Sequence, residues 1–288
     1  MIYKKPPLCF LGNKRNQLKN IKAVLDEMSD DGVISEQTKF YDVFGGSGLI
    51  AHNLKQWYPK NEVIYNDFDD YASRLAIIET TEQVRVRLLR LLGGAEKKDR
   101  RLSEAQIKQV KELLNEYKDE ELDFIQLSSW LCFSGTYYKD RASLYANLKY
   151  NMLSYTPLNA KGYLAGVKRV RVDFKKLMDE SAHEGANRFL ILDPPYFASL
   201  FSAYDMGFSM SDIFELMFRV SKPYIFFSSA RSGADVFFEY LARVNDEMKD
   251  FKTLRAGLQS FSPLKRNKFN DLGGNDMLFY TKGRSLFE

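Results

Sequence analysis

The chain has 288 residues, with 42 Lys and Arg against 38 Asp and Glu, a formal charge of +4 and a pI near 8.8. At 45% hydrophobic and 28% charged residues it has the make-up of a globular protein of one large or two smaller domains, which excludes a disordered or collagen-like chain. Two cysteines, Cys9 and Cys132, and two histidines, His52 and His183, are too few for a disulfide framework, a four-cysteine zinc site or a histidine-rich metal centre.

Met1 to Asn13 lacks the apolar core of a secretory leader, and the sequence holds no run of about 20 apolar residues, so a cytoplasmic protein without membrane or metal is expected. Thr38–Phe44 reads as a short buried strand, Gly45–Gly48 as a tight turn, Leu49–Tyr58 as a helix stopped by Pro59, and Glu62–Asn66 as a second strand. Such a unit fits a right-handed crossover in a parallel sheet. From Glu82 to Glu121 the chain becomes densely charged, and Ile107, Val110, Leu113 and Leu114 share one face of a helix over Ser103–Tyr117. Ser128–Gly166 is rich in Tyr, Ser, Asn and Lys without a clear period, predicting irregular structure or short elements. Strands resume at Val167–Asp173, Arg188–Leu192 and Pro223–Ser229, and Phe251–Gln259 with Met277–Thr281 is a candidate terminal antiparallel pair. The simplest parse is a discontinuous α/β domain, 1–80 and 165–288, interrupted by an insertion at 81–164.

Two constellations carry chemistry. In Tyr41-Asp42-Val43-Phe44-Gly45-Gly46-Ser47-Gly48 a strand runs into three glycines, which allow a sharp turn and close approach of backbone to a ligand. About twenty residues on, Asn66-Asp67-Phe68-Asp69 places a carboxylate where ribose hydroxyls can donate to it. The full GxGxxG pattern is absent, with Ala51 at the third glycine position, and so is the GxxxxGK[ST] run of a triphosphate loop. The second constellation is Asp193-Pro194-Pro195-Tyr196-Phe197 after the apolar Phe189–Leu192. Two prolines fix φ and remove two donors, so the Pro194 carbonyl and the Asp193 carboxylate are acceptors at a strand's carboxyl end, beside the aromatic face of Tyr196. That arrangement suits an amino group on a planar ring; its bland alternative is a rigid turn with a solvated Asp.

From Lys139 to Lys176 there are nine Lys and Arg against two Asp, a local excess of +7, with Tyr137, Tyr138, Tyr145, Tyr150, Tyr155 and Tyr163 interleaved. Basic groups neutralise phosphates and aromatic ones stack on bases, so DNA is the natural partner; the alternative is a solvated basic face with structural tyrosines. By charge, Lys139, Arg141, Lys149 and Arg169 are the candidates for contact, with the aromatic Tyr138 beside them.

Asp193-Pro194-Pro195-Tyr196 resembles the catalytic tetrapeptide of amino-group methyltransferases acting on nucleic-acid bases, and Phe44–Gly48 resembles their S-adenosylmethionine loop. Leu11-Gly12-Asn13-Lys14-Arg15 is similar to the additional cofactor motif of the D12 class of DNA adenine-N6 methyltransferases, and the order of the motifs is the one found in that class. The resemblance covers about Leu8–Asp70 and Val167–Lys282. Phe133–Tyr138 is similar to a segment that opens the family's recognition region, but the usual following Val-Pro-Tyr-Gly is missing.

The resemblance implies a Rossmann-like S-adenosylmethionine-dependent methyltransferase sheet with an inserted, mostly helical or irregular target-recognition domain at 81–164. It implies that Gly12, Asn13, Lys14, Phe44, Gly45, Gly46, Ser47 and Gly48 meet the methionine end of the cofactor, Asp67 its ribose, and Asp173 and Phe174 its adenine, with Leu11 and Asp42 counted among the cofactor-binding residues. For Asp173 a helix N-cap is an equal reading. Lys14 and Arg15 are equally read as solvated surface charges or as phosphate contacts, Arg15 being counted with the DNA-binding candidates. Asp193, Pro194, Pro195 and Tyr196 would hold an adenine flipped out of duplex DNA and aim its N6 at the sulfonium methyl. Cytosine-N4 or RNA-adenine methylation, and a non-catalytic DNA-binding partner on a degenerate fold, are the alternatives. A cognate restriction endonuclease is compatible with this reading but is not written in the chain.

Overall fold

The computed structural model describes residues 2–93, 101–195, 208–220, 223–229 and 276–281. The chain divides into two compact units, one of Tyr3–Asn13 with Asp70–Tyr163 and the other of Lys14–Asp69 with Leu164 onward.

The second unit is α/β. Its helix α1 (Leu18–Asp30) buries Ile21, Leu25 and Met28 at helical spacing, with Val24 beside them, and the chain reverses after it at Gly32, whose φ of 71° suits glycine. There follow β1 (Lys39–Asp42), α2 (Leu49–Trp57) and β2 (Val63–Asn66). The chain then leaves for the other unit and returns through β3 (Lys168–Val170). Strand order is β3-β2-β1-β4-β5-β6, with β4 Arg188–Leu192, β5 Tyr224–Ser229 and β6 Asp276–Thr281. Five strands are parallel; β6 runs antiparallel to β5. Met277–Thr281 therefore pairs with Tyr224–Ser228, while Phe251–Gln259, expected as its partner, lies outside the described residues.

Successive strand residues point to opposite faces, and both faces of this sheet are covered. Tyr41, Ile64, Leu190, Leu192, Tyr224 and Phe226 join the helices Phe174–Ala182 and Met210–Arg219 in one core, and Phe40, Val63, Tyr65, Phe189, Ile191, Ile225 and Phe227 join α1 and α2 in the other. That double burial explains why the strands read as unbroken apolar runs. Order reverses between β1 and β4, whose register pairs Asp42 with Ile191, and the carboxyl ends of these two strands border the switch point where open α/β sheets bind ligands.

The first unit is helical. Helix α3 (Tyr71–Ala76) leads into α4 (Ile78–Leu92), so the expected boundary at residue 80 falls within a helix, and the division lies at Asp69–Asp70. Helix α5 (Glu104–Leu114) begins with a capping box between Ser103 and Gln106, α6 (Phe124–Leu131) is capped by Asp123, and α7 (Arg141–Ala146) by Asp140. Val84, Leu88, Val110, Leu114, Leu127, Trp130, Leu131 and Leu144 form its core. The stretch Ser128–Gly166, expected as irregular structure or short elements, contains part of α6 and all of α7, both too short to display a period. Tyr3–Asn13 joins this unit because the Tyr71 hydroxyl bonds both the Leu8 N–H and the Leu8 carbonyl, while Arg74 reaches the Cys9 carbonyl and the buried Asp123 at 3.0 Å.

Candidate active site at the switch point of the sheet

Beyond β1 the backbone continues beside β4, with the Val43 N–H donating to the Ile191 carbonyl at 3.0 Å, and then turns through Gly45–Gly48. Gly46 and Gly48 have positive φ, and Gly48 is the N-cap of α2. A Cβ on Gly45 would lie 2.3 Å from the Tyr65 ring, so this glycine is required by packing rather than by its dihedrals. The Tyr65 hydroxyl lies 2.6 Å from the Gly46 carbonyl and 3.0 Å from Asp67 Oδ1. The loop is therefore built on β2, which leads directly into the fully buried Asp67. Sequence reasoning missed Tyr65, whose aromatic β-strand character was its only signal. Asn66 stands in the motif, but its role is visible only in the fold. Its buried amide donates to the Val43 and Val172 carbonyls and accepts from the Val172 N–H, joining the ends of β1 and β3.

Asp67 carries a second partner. Arg169 on β3, read from charge as a DNA contact, places Nε 2.7 Å from Asp67 Oδ2, so its guanidinium serves the carboxylate assigned to the ribose. Asp173 caps α8 (Phe174–Ala182), accepting from the Lys175 N–H at 2.8 Å, which realises the capping alternative. Phe174 packs against Phe44 with ring centroids 5.4 Å apart, and Phe208, ahead of α9 (Met210–Arg219), completes an aromatic cluster with them.

At the end of β4, Asp193 is mostly buried, Pro194 is buried and Pro195 is half-buried. Tyr196 and Phe197 lie outside the described residues. Lys14, which the sequence left open as a solvated charge, is 4% exposed, with Nζ 2.5 Å from Asp193 Oδ2 and 5.4 Å from the centre of the Phe227 ring. The surface reading of Lys14 is thereby corrected: its burial is sustained by an opposite charge and an aromatic face. Leu11, Gly12 and Asn13 group with the helical unit, Gly12 at φ 75° and the Asn13 amide on the Phe10 carbonyl; Arg15 is exposed.

Asp42 completes the site. It is fully buried, its Oδ2 accepts from the Ala51 N–H at 3.2 Å, and its Oδ1 has no hydrogen-bond partner among the described residues. Burial first, and then the nearby Asp193 charge, push its carboxyl up to about 7. An orphaned carboxylate oxygen beneath a glycine loop fits the cationic methionine end of S-adenosylmethionine. Among the described residues no group of three or more His, Cys, Asp or Glu is placed to hold a metal, and no helix is long and apolar enough to cross a membrane.

The basic candidates of the helical unit divide. Arg141 donates to the Asp119 carboxylate at 2.6 Å and to the Leu114 and Tyr117 carbonyls, and its guanidinium lies near the Phe124 and Tyr145 rings; it braces the fold. Tyr138 packs on the helical core and Tyr163 is buried, while the Tyr145 hydroxyl is held by Asn115. Lys139 and Lys149 are exposed, and so are Phe133 and Tyr155 at 66% and 73%.

Residues 10–222 match the D12 class N6 adenine-specific DNA methyltransferase family. A Haemophilus influenzae protein described as "Putative methyltransferase" is 35% identical over 251 residues, which is 86% of this chain and 82% of that protein. The matched region takes in the glycine loop, the Asp67 strand end and the Asp193-Pro194-Pro195 corner, and with them the chain belongs to the D12 class of N6 adenine-specific DNA methyltransferases.

Proposed function

We propose that the protein transfers a methyl group from S-adenosylmethionine to the N6 amino group of adenine in duplex DNA, at a specific sequence. The observation that carries this reading is the adjacency of two strand ends: Asp193 and Pro194 follow β4, and Asp42 and the glycine loop end the neighbouring β1. An acceptor pair for an amino group thus lies beside a cradle for a cationic nucleoside.

When bound, the cofactor supplies an electrophilic methyl carbon on sulfur. Asp42 offers it an unpaired acceptor, the backbone of Gly45–Gly48 a close approach, Asp67 an acceptor for ribose hydroxyls, and Phe174 an apolar wall. The adenine amino nitrogen is a weak nucleophile because its lone pair is delocalised into the ring. Hydrogen bonds from that amino group to the Asp193 carboxylate and the Pro194 carbonyl favour a tetrahedral nitrogen and fix its direction of attack, so catalysis rests on positioning and electrostatics. The surplus proton of the methylated amino group would pass to the Asp193 carboxylate or to water. Because N6 is inside the duplex, the base must leave the stack, and Tyr196 is assigned to stack on it. The helical unit, with exposed Lys139 and Lys149, is assigned to DNA recognition.

Transfer of tritium from labelled cofactor to duplex DNA, followed by nucleoside analysis, tests the reading. N6-methyladenine is expected with wild type and none with Asp193→Ala. Label on cytosine or only on RNA would redirect the substrate, and equal labelling by both proteins would remove the mechanism.

A further inference from the structure

Three charged side chains meet at the switch point, and together they are unbalanced. Asp42 from β1 and Asp193 from the end of β4 are two carboxylates on adjacent strands, and Lys14, from the segment before α1, is the cation. The lysine is not shared evenly: Nζ is 2.5 Å from Asp193 Oδ2, whereas the Asp42 oxygens have one backbone N–H between them, from Ala51 of α2. Among the described residues, Asp193 and Lys14 are the charged groups that act on Asp42. Two buried carboxylates with one cation cannot both ionise cheaply.

Resting on the methyltransferase reading, we infer that Lys14 is a positioning residue that divides the roles of the two carboxylates. It holds Asp193 as a fixed carboxylate for the amino group, and leaves Asp42 to carry a proton in the cofactor-free protein and release it to solvent when a cationic methyl donor binds. The geometry supplies both halves. The ammonium of Lys14 is buried against Phe227 and tied to one oxygen of Asp193, so that carboxylate keeps its charge and orientation. Asp42, pushed up to about 7, has no cation of its own until the donor brings one. Its proton then leaves, and the new pair is carboxylate with cation.

The consequence is a pH-dependent affinity with a definite sign. A group protonated in the free protein and ionised in the complex must lose its proton on binding, so affinity falls as pH drops below its pKa. With a midpoint near 7, binding should weaken roughly fifteenfold from pH 7 to about 5.5, a window below the titration of the donor's own α-amino group. At about pH 6 roughly 0.9 proton should be released per cofactor bound.

Calorimetry of the full chain with S-adenosylmethionine, in buffers of different ionisation enthalpy, reads both quantities without turnover. Asp42→Asn should abolish the proton release and flatten the profile. Asp193→Asn, which removes the neighbouring charge, should move the midpoint down. Lys14→Met should move it up, because the two carboxylates then share the site without a cation, and Lys14→Arg should restore the wild-type midpoint. Binding without proton release, or release that survives in Asp42→Asn, overturns the inference alone. If Lys14→Met lowers affinity equally at every pH, the lysine only packs and its positioning role fails. Absence of binding at any pH would defeat the methyltransferase reading itself. Should Lys14→Met not fold, the shift in Asp193→Asn decides the charge coupling, with an unmoved midpoint refuting it.

Discussion

Gly45→Ala tests how the cofactor loop is held. The added Cβ would lie 2.3 and 2.4 Å from two atoms of the Tyr65 ring and 3.1 Å from the Asn66 carbonyl. Tyr65 is fully buried among the residues under α1 and α2, so its ring has no solvent to swing into. Forcing a methyl into such packing costs about 1–3 kcal/mol. If the ring moves, the hydroxyl also leaves the Gly46 carbonyl at 2.6 Å, a loss of about 1 kcal/mol more. The expected total is roughly 2–4 kcal/mol, read as a lower urea midpoint, together with weaker cofactor binding. A double-mutant cycle isolates the cause. In a Tyr65→Val background the ring is gone and only the milder approach to the Asn66 carbonyl remains, so Gly45→Ala should cost under about 1 kcal/mol there. Equal costs in the two backgrounds, or no cost in either, would refute the role given to Tyr65.

Four further outcomes follow from the same geometry. Asp42→Asn should stabilise the cofactor-free protein at pH 8 by a few kcal/mol, because the folded carboxyl titrates near 7, above its unfolded value, and each tenfold difference in proton affinity is worth about 1.4 kcal/mol. That advantage should shrink as pH falls through 7 toward 4, where the wild-type carboxyl is protonated in the folded state and increasingly so in the unfolded one; an advantage that grows on acidification has the wrong sign. Arg74→Ala strands Asp123, whose side chain is 1% exposed, and should cost about 3–5 kcal/mol in urea unfolding, partly regained with Asp123→Asn. Arg141→Ala should lower stability and leave DNA affinity of the folded fraction unchanged, whereas Lys139→Ala and Lys149→Ala should each reduce the salt slope of DNA binding by about one. Arg169→Ala should weaken cofactor binding measured by calorimetry and leave the DNA salt slope unaltered, since its guanidinium is engaged with Asp67.

Much of the α/β unit is legible in the sequence because its physics is local. Arg188–Leu192 coincides with β4, and the strand, glycine and helix signals of residues 38–66 match β1, α2 and β2 to within two residues, since double-sided burial demands continuous apolar runs. The glycine loop follows β1 and Asp193-Pro194-Pro195 follows β4, whereas the motif Leu11–Arg15 precedes α1. What the sequence hid depends on long-range contacts. Nothing near Lys14 announces that its ammonium finds Asp193, and nothing near Arg169 that it finds Asp67, so Lys14 reads as a cofactor contact by resemblance or a surface charge, and Arg169 as a candidate by charge alone. Arg141 and Tyr145 looked like a nucleic-acid surface because composition cannot tell a guanidinium that braces α7 from one that meets a phosphate. The attachment of Tyr3–Asn13 to the helices rests on Tyr71 and Arg74, more than sixty residues away in the chain.

Everything proposed for the site requires that the corner after β4 present an adenine amino group to a methyl donor held after β1. Sequencing of modified bases in DNA from cells expressing wild-type protein or Asp193→Ala reads this in one experiment. N6-methyladenine in a defined sequence context is expected with wild type, and an unmodified genome with the variant. Unmodified adenine in both, or the same mark in both, would contradict it.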